Sequence, residues 1–144
     1  MSIVDVMTVK IVSVEPGDSV AHTIQRMVDE NVGAIMVCEL DRIVGIFSER
    51  DVLRLAAGSE GFTSRRVDEV MTRRLFTVAP DDDITAVARL MGERRIRHAP
   101  VVEGDRLLGI VSARDVMAAL VERVWLSHDE QAHDTARALL QRSR

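Results

Sequence analysis

Two kinds of hydrophobic pattern alternate along the chain. A short β-favouring run occupies residues 11–14, and a second one occupies residues 75–78. Each run leads through a proline and an acidic turn into apolar residues at helical spacing, which predicts a helix with one buried face. These residues are Val20, Ile24, Met27 and Val28 in the first half, and Ile84, Val87, Ala88 and Met91 in the second. Asp18 and Asp82 precede the two helices and are expected to cap them.

Two further apolar runs follow each predicted helix. In the first half they cover residues 34–38 and 43–47 and are separated by "ELDR"; the second half has "EGDR", whose glycine suits a hairpin turn. A second helix is predicted through "VLRLAAG" and, in the second half, through "VMAALVERVWL". The order strand, helix, strand, strand, helix therefore occurs twice.

The two halves are copies of one unit. The stretch "GIFSERDVL" at residues 45–53 returns as "GIVSARDVM" at residues 109–117, and "VMT" at residues 6–8 returns at residues 70–72. Both pairs lie 64 positions apart, without a gap between them. This spacing indicates an internal duplication.

The duplication predicts an α/β (α+β) fold made of two β-α-β-β-α repeats. A repeat of this size buries little surface by itself, so the two should pack through their sheets about a pseudo-twofold axis that creates two equivalent clefts. We place repeat 1 at residues 1–57, a solvated Gly-, Ser- and Arg-rich linker at 58–66 and repeat 2 at 67–126. Residues 127–144 should form a C-terminal tail helix, because Ser127 and Glu130 make a capping-box pattern.

Composition narrows the class of protein. A chain of 144 residues, 47% of them hydrophobic and 29% charged, fits one globular module. Its 19 basic and 23 acidic residues give a net charge of −4, which argues against a nucleic-acid surface. We expect no membrane span, because no run of about 18 apolar residues occurs. A cytoplasmic location is then the default expectation. The single Cys38 is expected to be a buried strand thiol.

The doubled Ser-x-Arg-Asp is the main candidate for chemistry. Serine and aspartate are common at helix starts because they accept hydrogen bonds from free backbone amides, and this alone explains one copy. Two copies behind equivalent apolar strands favour a nucleotide, since a helix N-terminus also suits a phosphate. We assign Ser48 and Ser112 to phosphate oxygens, Arg50 and Arg114 to counter-ions, and the carboxylates of Asp51 and Asp115, both at solvent-reachable helix starts, to a ribose diol.

Catalytic and other nucleotide motifs are missing from the sequence. Neither a G-x-x-x-x-G-K-[ST] loop nor a G-x-G-x-x-G turn is present. His128 and His133 lie five positions apart, which does not match the i, i+4 ligand pair of a zinc protease. Ser48 and Ser112 lack a G-x-S-x-G elbow, so we expect no enzyme, no catalytic residue and no metal site.

The repeats differ in "ERRIRHAPVV" at residues 93–102. The matching stretch of repeat 1, "DENVGAIMV", has neither arginine nor histidine. Arg97 and His98 are therefore expected to make the two clefts unequal, unless this stretch is simply a solvated helix end before a buried strand.

The complete pattern resembles a tandem pair of CBS (cystathionine β-synthase) domains, also called a Bateman module. The resemblance covers residues 4–126 and rests on the duplicated unit, the "VMT" openings, the "GIxSxRD" endings and "HAPVV". It implies a regulatory sensor that binds AMP, ADP, ATP, NAD or S-adenosylmethionine, with AMP or ATP favoured. It also implies a stand-alone homodimer that acts on a separate partner.

The resemblance further implies that each cleft takes residues from both repeats. In the first cleft, Ile46, Ser48, Arg50 and Asp51 would face Thr72, Thr77, Ile96 and Arg97. In the second cleft, Ile110, Ser112, Arg114 and Asp115 would face Thr8, Ser13, Val32 and Gly33. The first cleft has the additional cation Arg97 and is expected to bind more strongly. Met36 stands where repeat 2 has the proline of "HAPVV", a departure expected to alter the start of that strand beside the second cleft.

A different class of function stays open from the sequence. The clefts could be vestigial in a structural interaction module whose tail helix docks a partner. Trp125, Leu139 and Leu140 would then be contact residues.

Overall fold

A computed structural model describes residues 1–58, 60–126 and 137–141. Repeat 1 contains β1 (Ser13–Val14), α1 (Val20–Glu30), β2 (Ala34–Glu39), β3 (Arg42–Ser48) and α2 (Glu49–Gly58). Repeat 2 contains α3 (Val67–Val70), α4 (Ile84–Arg94), β4 (His98–Glu103), β5 (Arg106–Ser112) and α5 (Ala113–Leu126). Short 3-10 helices occupy Ile3–Asp5 and Phe62–Ser64. The mixed α/β class and the duplicated order agree with the prediction.

The two sheets have matching registers. One has the order β1-β2-β3 and the other β4-β5, and each hairpin carries a bulge at the same place, after Val37 and after Val101. Met36 pairs with Ile46 as Pro100 pairs with Ile110, so the proline does not shift the strand. β3 and β5 lie against each other and bring the sheets together.

The first predicted strand of each repeat is shorter than expected. Residues 11–14 form only Ser13–Val14, and residues 75–78 form a single parallel bridge from Val78 to Val101. The backbone N–H of Met36 donates to the oxygen of Val12 (3.2 Å). Pro100 has no N–H at the equivalent position, which explains why the second ladder is reduced to a bridge.

The predicted helix caps are wrong by one residue. Ser19 caps α1 by accepting from the N–H of His22, and Asp83 caps α4 by accepting from the N–H groups of Thr85 and Ala86. Asp18 and Asp82 close the preceding turns, where their carboxylates accept from the N–H groups of Glu15 (2.9 Å) and Ala79 (2.8 Å).

The buried face of α1 also differs from the prediction at one residue. Val28 is 67% exposed, whereas Thr23 is fully buried and donates its hydroxyl to the backbone oxygen of Ser19 (2.9 Å). On α4, Ile84, Val87 and Met91 are buried as expected.

Each repeat completes its core with the opening segment of the other. Ile3 is fully buried in the repeat 2 core, and its N–H donates to the oxygen of Asp82 (3.0 Å). Val67, 64 positions later, is fully buried in the repeat 1 core, where its N–H donates to the oxygen of Asp18 (2.8 Å). Phe62 packs against the same core, so the predicted linker is not solvated throughout.

The predicted tail helix falls mostly outside the described residues. Of that segment, residues 137–141 are helical, and Leu139 and Leu140 are 58% and 45% exposed. Trp125 lies in α5 and is half-buried. Cys38 is also half-buried, and burial raises the pKa of its thiol.

Candidate functional site

Two reciprocal backbone contacts join the repeats at the predicted clefts. Ile46 and Thr72 exchange both hydrogen bonds (3.0 and 2.9 Å), and Ile110 and Thr8 do the same (3.0 and 2.8 Å). Each contact joins the strand before a Ser-x-x-Asp helix start to the opening segment of the other repeat. Both clefts therefore have walls from both repeats.

These contacts require glycine one residue before each isoleucine. A Cβ on Gly109 would lie 2.5 Å from the backbone oxygen of Thr8, and a Cβ on Gly45 would overlap the Sδ of Met71. The glycine of the "GI" pair thus allows the opening segment of the opposite repeat to reach the strand.

The start of α2 uses the carboxylate of Asp51 internally. Its Oδ2 accepts from the backbone N–H (2.9 Å) and the hydroxyl (3.2 Å) of Ser48, and its Oδ1 accepts from Arg54 (2.5 Å). Asp51 is only 4% exposed, so the expectation of a solvent-reachable carboxylate is wrong at this position. A ribose diol at Asp51 would have to replace one of these contacts.

The start of α5 has the opposite arrangement. The hydroxyl of Ser112 accepts from the backbone N–H of Asp115 (3.1 Å), and the Asp115 side chain is exposed. Ala118 stands where repeat 1 has Arg54, so the ion pair of the first copy has no counterpart. The solvent-reachable carboxylate predicted from the sequence is present in the second cleft.

A cavity of about 350 Å³ borders the first cleft. The guanidinium of Arg50 reaches across the repeats and donates to the backbone oxygen of Arg95 (3.3 Å). Ile96 and Arg97 also line the cavity. The other lining residues are Ala88, Met91, Gly92, Ala113 and Met117.

Three of the eight residues predicted for the first cleft thus share one cavity, whose lining also includes an arginine that sequence reasoning missed. Arg95 follows α4 in the left-handed conformation (φ 55°), as Asn31 follows α1 (φ 53°). The "RRIR" run was a signal for Arg95, but only its position as the C-cap residue of α4 assigns it to the cavity.

The predicted threonines, Ser13 and Val32 do not line this cavity. Thr72, Thr77 and Thr8 are exposed; Thr77 precedes the Val78 bridge. Ser13 pairs with Met36 in β1, and Val32 packs against the repeat 1 core. The membership of these residues in a ligand site stays a prediction.

The second cleft contains a group of ionisable side chains. The carboxylate of Glu49 and the ring of His98 both lie beside Gly33, 3.5 and 3.6 Å from where its Cβ would be. Burial is the main cause that lowers the pKa of His98, and the nearby Arg97 lowers it further, while the carboxylates of Glu49 and Asp115 raise it. Histidine thus faces two acids from different repeats.

Neither a metal centre nor a membrane span emerges from the described part of the chain. Its His, Cys, Asp and Glu residues form no group of three or more that could hold a metal ion. None of its helices is both long and apolar enough to cross a bilayer.

The architecture defines a paired-repeat module with clefts between its units, and comparisons with known proteins give the family. A sequence model of the CBS domain matches residues 3–58 and 67–122. The chain belongs to the CBS domain family and carries two such domains. Pairs of this class are regulatory modules that bind nucleotides or related adenosyl compounds.

Individual relatives support this assignment. The chain is 34% identical over 117 residues to the CBS domain-containing protein YhcV of Bacillus subtilis, covering 80% of this chain and 82% of that protein. It is 43% identical over 98 residues to an uncharacterized 33.4 kDa protein of Thermofilum pendens, covering 67% of this chain. The match spans only 32% of that relative's length. The crystal structure of the CBS-domain protein ATU1752 from Agrobacterium tumefaciens superposes with a TM-score of 0.78 at 28% identity, covering 83% and 98% of the two chains.

Proposed function

We propose that this CBS pair senses an adenine nucleotide or a related adenosyl compound and regulates a separate protein. AMP, ADP, ATP, NAD and S-adenosylmethionine are the candidate ligands. The observation that carries the proposal is the pair of reciprocal bridges, Ile46 with Thr72 and Ile110 with Thr8, which build each cleft from both repeats. A ligand held in such a cleft contacts both repeats at once.

Binding would signal through the packing of the repeats. A ligand shifts a conformational equilibrium only by the difference between its affinities for the two states. If a ligand contacts Arg50 in one repeat and Arg97 in the other, its affinity depends on the distance between the repeats. It therefore favours one arrangement of the two sheets, and a partner that recognises this arrangement reads the occupancy.

The regulatory reading includes two further expectations. The chain would itself catalyse no reaction, and it would assemble as a homodimer. Exposed apolar side chains on the helices of repeat 1 support assembly: Val28 is 67% exposed and Leu53 is 73% exposed. A cytoplasmic location stays a prediction of the sequence.

Isothermal titration of the full chain against AMP, ADP, ATP, NAD, S-adenosylmethionine and 5′-methylthioadenosine tests the proposal. We expect at least one of them to bind with micromolar or tighter affinity. Hydrogen exchange should then slow at the backbone amides of Thr8, Ile46, Thr72 and Ile110 when that ligand is added, because the four amides join the repeats at the clefts.

GTP and CTP are the matched controls, because they carry the same ribose and phosphates with a different base. Absence of heat with every adenosyl compound contradicts the proposal. If GTP and CTP bind as tightly as ATP, the sensor is not specific for adenine.

A further inference from the structure

Three arginines from two repeats line the 350 Å³ cavity of the first cleft. Arg50 comes from α2, whereas Arg95 and Arg97 come from the segment between α4 and β4. All three are exposed residues, and none forms an ion pair within the described part of the chain. Arg50 is fixed across the cavity by its hydrogen bond to the Arg95 carbonyl. The cavity therefore collects positive charge that the protein does not neutralise there.

The equivalent positions of the other repeat carry a different charge. Where the first cleft has Arg95 and Arg97, the second has Asn31 and Gly33, 64 positions earlier. Where the cavity has Ala113, the second cleft has Glu49, whose carboxylate lies beside Gly33. The duplication thus provides two related clefts, one with three cations and one with acids.

The second cleft contains both acids and a cation. Glu49 and Asp115 bring two carboxylates, and Arg114 brings one guanidinium. His98 faces both carboxylates from β4. Arg97 also acts on His98 here, but two carboxylates make this cleft less favourable for a highly charged anion than the cavity with three arginines.

We infer that the cavity with Arg50, Arg95 and Arg97 holds the phosphates of a nucleoside di- or triphosphate, and this inference rests on the proposed function. The second cleft would not hold such phosphates. The module would then distinguish ligands by phosphate number. Guanidinium groups suit this task because they stay charged and bind phosphate oxygens in a bidentate manner. Compounds that lack phosphate, such as 5′-methylthioadenosine, would gain nothing from the three arginines.

The double variant Arg95→Asn with Arg97→Gln tests the inference. Asparagine is the natural residue at the equivalent left-handed position in repeat 1, so this change removes charge without straining the backbone. By isothermal titration, the wild-type chain should bind ATP at least tenfold more tightly than 5′-methylthioadenosine. The variant should lose at least tenfold in ATP affinity, since a hydrogen bond between charged groups is worth roughly a factor of ten. Its affinity for 5′-methylthioadenosine should change less than twofold.

Arg89→Gln is the matched control, because Arg89 is an exposed arginine of α4 that does not line the cavity. It should leave ATP affinity within twofold. A second measurement needs no variant: raising the NaCl concentration should weaken ATP binding to the wild-type chain much more than 5′-methylthioadenosine binding, because salt screens the arginines.

The outcomes separate this inference from the proposed function. Binding of adenosyl compounds with equal affinity for ATP and 5′-methylthioadenosine, or with no difference in salt dependence, overturns the inference and leaves the sensor. A double variant that keeps its ATP affinity also overturns it. Absence of binding by every adenosyl compound overturns both.

Discussion

The two Ser-x-x-Asp helix starts have the same sequence pattern and use it in opposite ways. At α2 the carboxylate of Asp51 accepts from Ser48 and Arg54 and is buried; at α5 the hydroxyl of Ser112 accepts from Asp115, whose carboxylate is exposed. Each copy uses one half of a capping box. The difference goes with two others between the copies: Arg54 pairs with Asp51 where repeat 2 has Ala118, and Asp51 is buried whereas Asp115 is exposed. A duplicated motif thus serves mainly structure in one copy and leaves an exposed carboxylate in the other.

The largest effect is expected at the paired glycines. Gly109→Ala should destabilise the chain by about 1–3 kcal/mol, because the new Cβ meets the Thr8 carbonyl, a backbone atom that cannot move alone. Gly45→Ala should cost less, since its neighbour is the flexible side chain of Met71. Urea unfolding of both variants measures the difference. An equal loss of unfolding free energy in the two variants would contradict this difference between the backbone contact at Gly109 and the side-chain contact at Gly45.

The paired aspartates sharpen the comparison directly. Asp51→Ala should lower the free energy of unfolding by about 1–2 kcal/mol through loss of the helix cap, whereas Asp115→Ala should change it by less than ~0.5 kcal/mol. Chemical denaturation of the two single variants provides the test. The sequence predicts that both carboxylates are solvent-reachable, and removal of a solvent-reachable carboxylate would have little effect on the fold. An unchanged free energy of unfolding in Asp51→Ala would agree with that expectation and contradict a structural role for the carboxylate.

His98 and its counterpart Ala34 differ in their response to pH. Because the folded pKa of His98 is lowered from 6.5, the unfolded chain binds more protons below that pH. His98 therefore makes stability fall as the pH drops below about 6.5, and it has no such effect above. Thermal unfolding of His98→Gln across this range should show a shallower loss of stability than the wild type. Parallel curves would show that His98 does not contribute.

The smallest change should come from giving repeat 2 the missing cation. Ala118→Arg places an arginine three residues after Asp115, as Arg54 follows Asp51. An exposed pair of this kind adds about 0.3–0.5 kcal/mol. A double-mutant cycle with Asp115→Ala isolates this coupling. If the cycle shows no coupling energy between Ala118→Arg and Asp115→Ala, then an arginine at this position is not sufficient. The burial of Asp51 would then be needed for the contacts seen at the start of α2.

Most of the fold could be predicted because the duplication repeats every local signal. Apolar spacing identified α4 and its buried residues, and Gly104, with φ 62°, occupies the hairpin turn as expected. Errors arose where two neighbouring residues could make the same contact. Asp18 and Ser19 are both good caps, and only the path of the chain decides that Asp18 closes the turn while Ser19 caps the helix.

The candidate site was less predictable, since its contacts come from distant parts of the chain. Arg50 and Arg95 meet across 45 positions, and no local pattern reports this hydrogen bond. The burial of Asp51 was also missed, although Arg54 was visible in the sequence. An ion pair on a helix surface is ordinarily exposed, and only the packing of α2 buries the carboxylate of this one, while the Arg54 side chain stays exposed.

The sequence by itself determined the duplicated β-α-β-β-α order, the family and the positions at which the two copies differ. Those features depend on residue periodicity and spacing, which the chain carries locally. Tertiary structure alone decided that Ile3 and Val67 exchange cores, that Asp51 is buried and Asp115 is exposed, and that three arginines line one cavity. Each of these depends on burial and on contacts between residues far apart in sequence, and such contacts exist only once the two repeats have packed together.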